Sequence, residues 1–470
     1  MRSLTLSALA AAVLAGCAVG PDYHRPDVML PEKYSADAAA VPAAGAPQEV
    51  SPRWWTLFND PQLDTLMDAA FERNTDLLQA VARVEQAEAL LREARAVQWP
   101  SVSLDGNAAR GRSSETTGTP GGGTGNNFRA ALSTAFELDF WGRLRRASEA
   151  ARAEALATRY GQEVVRQTVA GLVAQSYFNL RALDEQVLLT RETLKTREEG
   201  VRILRIRLQG GTSARIDLDQ AEALRAEAAL QLQELQRQRA LAQSQLGLLT
   251  GQAGIDLEQG SLRGLPLPPA PPAGLPSALL ERRPDVRQAE QLLVSANARI
   301  GVAKAAMFPT LSLTGLAGGE SAELSDVLKS GSRIWSVGFG LTLPIFDAGR
   351  RIAQTDQAEA RQREVLAAYQ GSVQSAFKDV ADALVNLRAA RESQVDVEAS
   401  EQAYLNALKT AQQRYDAGYS AYLELLDAQR SANAARLRTV TNRQAQLAAT
   451  VDLFKALGGG WDAPSVAQAR

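Results

Sequence analysis

The chain carries the same punctuation twice, 207 positions apart: Gly211 and Gly418, Ser213 and Ser420, Leu218 and Leu425, Gly251 and Gly458, Gly142-Arg143 and Gly349-Arg350. A self-match of that length marks a duplicated architecture and constrains the fold before any local motif does. Each copy reads as a helical hairpin, about Arg143 to Leu208 then Ala214 to Leu249, and about Arg350 to Arg414 then Ala421 to Leu457. At 1.5 Å per residue each longer arm would extend roughly 100 Å, more than a single protomer can bury. Two helices stacked end to end are expected there, although no strong breaker places the joint. Val373, Phe377, Val380, Leu384 and Leu387 recur at spacings of four and three, the seam of a coiled coil.

Upstream of each hairpin the period changes. A helix is expected from about Gln62 to Val97, stopped by Trp99-Pro100, and another from about Ser277 to Met307, stopped by Phe308-Pro309. These two align at an offset of 209, so a loop between them and the hairpins differs by two residues. Beyond each proline the residues alternate: Val102, Leu104 and Leu132 to Phe140 in the first copy, Leu311, Leu313 and Trp335 to Ile345 in the second. Polar, Gly-rich stretches, about Arg110 to Asn127 and Gly318 to Arg333, read as the connecting loops. Paired strands of apolar and small polar residues fit a membrane barrel or a soluble hairpin with one core face. Four strands cannot close a barrel, since the smallest need about eight. A membrane barrel here must be shared between chains.

The N-terminus points to export. A basic start and the apolar run Leu4 to Ala15 have the form of a secretory signal. It ends in Leu14-Ala15-Gly16-Cys17, which resembles a bacterial lipobox, and Ala18-Val19 in place of an aspartate favours the outer membrane. The expected organisation is a signal peptide over 1–16, a lipidated extended tether over 17–61, repeat 1 over 62–255, a Pro-rich linker over 256–276, repeat 2 over 277–458 and a flexible tail over 459–470. Trp54, Trp55 and Phe58 interrupt the tether and are expected to pack on the body. Lys and Arg number 51 against 53 Asp and Glu, which is not the charge balance of a nucleic-acid binder. With one cysteine, Cys17, and one histidine, His24, the chain can build neither a disulfide nor a His-based triad. No phosphate-binding glycine loop and no metal-ligand cluster stands out, so no catalysis and no cofactor beyond the lipid on Cys17 is expected.

Helix, two strands, long helix, turn and shorter helix, all twice, resemble the TolC-like outer membrane factors. The stretches Gly20-Pro21-Asp22-Tyr23, Trp54-Trp55, Phe58 to Leu63, Phe140 to Arg146, Leu279 to Val286 and Pro344 to Arg350 look like the NodT-type lipoprotein branch. The resemblance implies a mostly α fold with a small β part. It also implies a homotrimer in which three sets of strands close a 12-stranded transmembrane barrel, continued in the periplasm by a helical tunnel. Implied partners are a periplasmic adaptor, an inner-membrane transporter of the RND class and outer-membrane lipid. By the same resemblance, Asp217 and Tyr415 hold a closed periplasmic tip, while Glu424 and Asp427 ring its constriction. Gly211 and Gly418 are the positive-φ residues of the hairpin turns. An acid just inside a helix start is also favoured by the macrodipole, so capping is an alternative role for Asp217 and Glu424. Ser420 stands where the family pattern has an arginine, which puts an arginine–carboxylate restraint at the tip in doubt, and Gln220 stands where the second copy has Asp427, so the acid ring would come from one hairpin only. The implied function is passive export of small molecules. A type I secretion outlet and a lipid-anchored coiled-coil scaffold remain open.

Overall fold

A computed structural model describes residues 18–28, 31, 51–112, 124–269 and 282–461. The signal peptide, Cys17, most of the expected tether, residues 270–276 of the linker and the tail beyond Trp461 lie outside the described residues. Helices α1 (Pro61–Arg73) and α2 (Thr75–Ala96) lead to strands β1 (Ser101–Arg112) and β2 (Thr124–Leu138), then to α3 (Arg143–Gln209) and α4 (Arg215–Leu249). The second copy has α5 (Pro284–Ala305), β3 (Thr310–Ser321), β4 (Arg333–Thr342), α6 (Arg350–Asp416) and α7 (Tyr422–Ala456).

Several expectations need correction. Both long arms are continuous helices of 67 residues, not two stacked pieces. They contain no proline, and isolated glycines weaken a helix without ending it. Conversely, the expected helix from Gln62 to Val97 breaks at Asn74. Its Oδ1 accepts from the Asp76 and Leu77 amides and so caps α2, while its Nδ2 donates to the Leu249 carbonyl at 2.9 Å. The strands also run further into the Gly-rich stretches than expected, because a ladder needs only backbone groups and the apolar alternation fades before the pairing does.

The chain forms two compact units, and each draws on both repeats rather than matching one. The first contains residues 18–27, Arg83–Arg159 and Gln288–Gln370. Its four strands form an antiparallel sheet in the order β1-β2-β3-β4. The register puts Val102, Leu104, Leu132, Phe136, Leu311, Leu313, Trp335, Val337, Phe339 and Leu341 on one face. That face is bare, with Trp335 and Val337 exposed by 78% and 73%. The other face carries small and polar side chains such as Ser103 and Ser133, whose hydroxyls are 2.7 Å apart, and Asn127 donating to Glu320. Among the described residues no helix is long and apolar enough to cross a membrane, and the apolar surface of membrane-spanning length belongs to this sheet.

Residues 18–25 do not form a loose tether. The Val19 amide donates to the Trp141 carbonyl, Gly20 sits so close to Gly301 that a Cβ would lie 2.5 Å from its Cα, and Asn297 Nδ2 donates to the Pro21 carbonyl. Arg146 pairs with Asp22, and Arg25 grips Glu290 through two bonds of 2.7 and 2.6 Å. Small residues permit the close approach, and charge pairs hold it.

The second unit contains residues 51–82, Tyr160–Arg287 and Gly371–461. Trp54, Trp55 and Phe58 are buried against Phe178, Leu246, Val451 and Phe454, with Trp54 stacked on Phe454 at 5.6 Å. The linker's first part is docked rather than extended: Leu257, Leu262 and Leu265 are buried. Arg181 Nη1 donates to Asp184 and to the Glu258 carbonyl, Arg239 donates to Asp184 and to the Leu257 carbonyl, and Asp184 accepts from the Gly260 amide. The expected tail begins ordered as well, since Trp461 is buried and donates to the Arg282 carbonyl. Asp184→Asn would leave the buried Arg181 and the half-buried Arg239 without their charge partner. It should destabilise the protein by about 3–5 kcal/mol, read as a lower denaturation midpoint in detergent; an unchanged midpoint would refute the clasp.

Candidate functional site

The two hairpin turns end the second unit. Both close in the same way. Gly211 and Gly418 take φ of 71° and 78°, and the amides of Thr212 and Tyr419 reach back to the Arg207 and Arg414 carbonyls at 2.8 Å. A left-handed residue followed by that back-bond is how a helix is stopped with its last carbonyls satisfied.

Beneath the turns lies a small apolar core of Val201, Leu204, Leu218, Ala221, Ala411, Tyr422, Leu425 and Leu426. Tyr422 packs over Gly200, and burial raises its phenol above the ordinary value, partly offset by the Arg197 cation. Arg197 is itself buried, which depresses its pKa, and it donates to Gln429 at 2.6 Å. Thr193 to Asn433 and Arg436 to Glu192 continue the line of polar links between α3 and α7.

The residues expected at the tip have distinct positions here. Tyr415 accepts a 2.9 Å hydrogen bond from Arg207 Nη1, the guanidinium lies 5.2 Å from its ring centroid, and its ring meets Tyr422 at 5.5 Å. Asp217 does not reach Tyr415 within the chain. Its carboxylate accepts from Ser213 Oγ and from the Ala214 amide, so within one chain it caps the start of α4. Glu424, its counterpart, turns instead to Arg414 across the second turn at 3.2 Å. Asp427 pairs with Arg430 one turn along α7 at 3.0 Å, and both are exposed.

The missing arginine beside Gly418 therefore does not leave the turns without charge pairing: Arg414 and Arg430 pair with Glu424 and Asp427, and Arg207 adds its hydrogen bond to the Tyr415 hydroxyl. Ser420, which stands there, has a buried hydroxyl with no partner among the described residues. Arg207 and Arg414 are repeat-equivalent positions flanking the two turns, a signal the sequence contains. Their different partners depend on helix phase and are not visible in it.

The family description "outer membrane efflux protein" matches residues 66–252 and 275–459. The chain is 36% identical over 461 residues to the cation efflux system protein CusC of Escherichia coli K12, covering 96% of this chain and 98% of that one. It is 36% identical over 469 residues to the toluene efflux pump outer membrane protein TtgI of Pseudomonas putida, covering 98% and 99%. The structure superposes on the open state of the Neisseria gonorrhoeae MtrE outer membrane channel with a TM-score of 0.86 at 34% identity, covering 94% and 98%. The chain belongs to the outer membrane efflux protein family. It is an outer-membrane efflux channel with a periplasmic part, so the bare face of the sheet faces lipid.

Removing the Arg207–Tyr415 bond tests whether it couples the hairpins. In a double-mutant cycle of Arg207→Ala and Tyr415→Phe, a coupling of about 0.5–1.5 kcal/mol is expected. It would be read from amide exchange near residues 410–420; additive effects would show that the contact carries no restraint.

Proposed function

We propose that three copies of this chain form the exit duct of a tripartite efflux pump. The observation that carries this reading is the four-stranded sheet with one bare apolar face and its edges at β1 and β4. In hydrocarbon an unpaired strand edge costs several kcal/mol per backbone group, so the sheet must close on others like itself. Three copies give twelve strands, within the range of membrane barrels.

The duct performs no chemistry and holds no cofactor apart from acyl chains on Cys17. A periplasmic adaptor and an inner-membrane transporter of the RND class provide the energy and select the cargo, small toxic molecules. Equal 36% identity to a cation efflux protein and to a toluene efflux protein supports a wall that does not choose its substrate. At the periplasmic end the tip restricts flow. Glu424 and Asp427 contribute acidic side chains there that favour cations, moderated by their arginine partners. Asp217 stiffens the first turn, and the Arg207–Tyr415 contact holds the second hairpin against the first.

Planar-bilayer recording tests both parts. The purified wild-type trimer should show small conductance, and Arg207→Ala with Tyr415→Phe should raise it severalfold, whereas Asp217→Ala alone should not. No conductance from wild type or variant would overturn the duct, and an unchanged double variant would overturn the restraint. Cys17→Ser should abolish palmitate labelling; persistent labelling would place the lipid elsewhere.

A further inference from the structure

The connection between β3 and β4 bends back over the sheet, and the register fixes which side it covers. Ala317 is level with Leu132 on β2 and with Trp335 on β4, so it belongs to the bare apolar face. Gly319, two positions further along β3, shares that face. It is nevertheless buried. Val327 covers it: a Cβ at Gly319 would overlap the Val327 carbonyl oxygen and meet Val327 Cγ1 at 3.5 Å. Val327 is itself buried. The turn is therefore seated on the lipid side of the sheet, in a notch that any side chain at position 319 would fill.

The helices attach at the opposite ends of the strands, so the notch lies at the end away from the periplasm. Gly319 is level with Arg333, two residues from Trp335 and hence about 7 Å beyond it along the strand. Exposed Trp335 stands where membrane barrels carry a girdle of aromatic residues, at the boundary between acyl chains and headgroups.

The composition of the turn suits that boundary. With Val327 in the notch, Leu324 and Leu328 are left exposed by 70% and 91%. Asp326 pairs with Lys329, which cancels their charges. The backbone is tied locally: the amides of Asp326, Val327, Lys329 and Ser332 donate to the carbonyls of Glu323, Leu324, Asp326 and Lys329. Irregular chain with its amides satisfied in this way tolerates a poorly hydrated setting, though not the hydrocarbon centre.

We propose that the β3–β4 turn is an interfacial anchor. Val327 clips it to the sheet at Gly319, and Leu324 and Leu328 insert among the outermost acyl segments of the outer leaflet. The partner is the lipid surface, met through apolar contact and not through headgroup recognition. Continuity with the lipid-facing side of the sheet selects this partner, because the two leucines extend a surface that already meets lipid. Seated so, the turn fixes the depth of β3 and β4. This rests on the membrane placement of the sheet and not on how many chains close the barrel.

The test uses the full-length protein carrying Leu328→Cys, labelled with a nitrobenzoxadiazole dye, in vesicles of phosphatidylethanolamine and phosphatidylglycerol. Part of the lipid bears a nitroxide high on its acyl chain, and iodide serves as the aqueous quencher. The unsubstituted protein carried through the same labelling sets the blank. Lipid nitroxide should quench the dye at position 328 at least about twofold more than the same dye on Thr212→Cys at a periplasmic turn, and to a degree similar to Val337→Cys on the sheet. A dye at 328 reached by iodide and not by nitroxide would overturn the proposal. One reached by neither would also overturn it, as the mark of a turn covered by a second copy of the chain. Adding Gly319→Ala fills the notch and should remove at least about half of the lipid quenching at 328 while leaving that at 337 unchanged. Unchanged quenching at 328 would refute the clip. Should that variant lose the heat-resistant trimer band, Val327→Ser must produce the same loss. A dye at 337 that lipid does not quench would refute the membrane placement of the sheet itself, and the anchor with it.

Discussion

Hydrocarbon offers no hydrogen bonds, and that constraint governs most of this structure. A chain that contributes only four strands cannot satisfy its own sheet edges, so its membrane part is complete only in company. The helices inherit the arrangement. In the 67-residue arm α6 the coiled-coil seam is buried at Val373, Val380, Leu384 and Leu387, so its packing runs along the helix rather than at its ends.

Duplication solved the same local problem twice with different chemistry. In the first copy Asn74 donates to the Leu249 carbonyl at the end of α4; in the second Arg283 donates to the Ala456 carbonyl at the end of α7. Beside them Gly251 and Gly458, both at positive φ, lie against the Arg73 and Arg282 carbonyls, where a Cβ would be 2.8 Å away. The geometry is kept while the donor has changed. The extra charge on Arg283 recruits Asp285 and Asp379, so the second joint is an ion-pair cluster where the first is a cap. The same divergence appears at the tip, where Asp217 serves its own helix and Glu424 its neighbour.

Much of the fold was legible in the sequence because its signals are periodic and local. The hairpin turns at Gly211 and Gly418 follow from positive-φ glycine between helical runs, and the alternation around Leu313 and Phe339 shows a one-faced sheet. Features that depend on distant partners were not legible. Asn74 breaks a helix because a carbonyl 175 positions away meets its side chain. Leu257, Leu262 and Leu265 dock because buried Arg181 and Asp184, with half-buried Arg239, hold the backbone between them, which proline-rich composition alone does not reveal. At the tip, residue types were legible and pairings were not. Arg207 reaches Tyr415 from 208 positions away, and only the relative rotation of α3 and α6 determines that.

The pinned N-terminal strap changes what a lipid on Cys17 would do. A long free tether would let the acyl chains sample membrane far from the sheet, diluting their effect. With Val19 bonded to Trp141, Gly20 against Gly301 and Arg25 locked to Glu290, only a short length of chain separates the lipidated residue from the foot of β2. The anchor then acts at high effective concentration on its own barrel strands. A lipid there would thus serve less as a mooring on a long line than as an intramolecular reagent held beside the chain's own four strands.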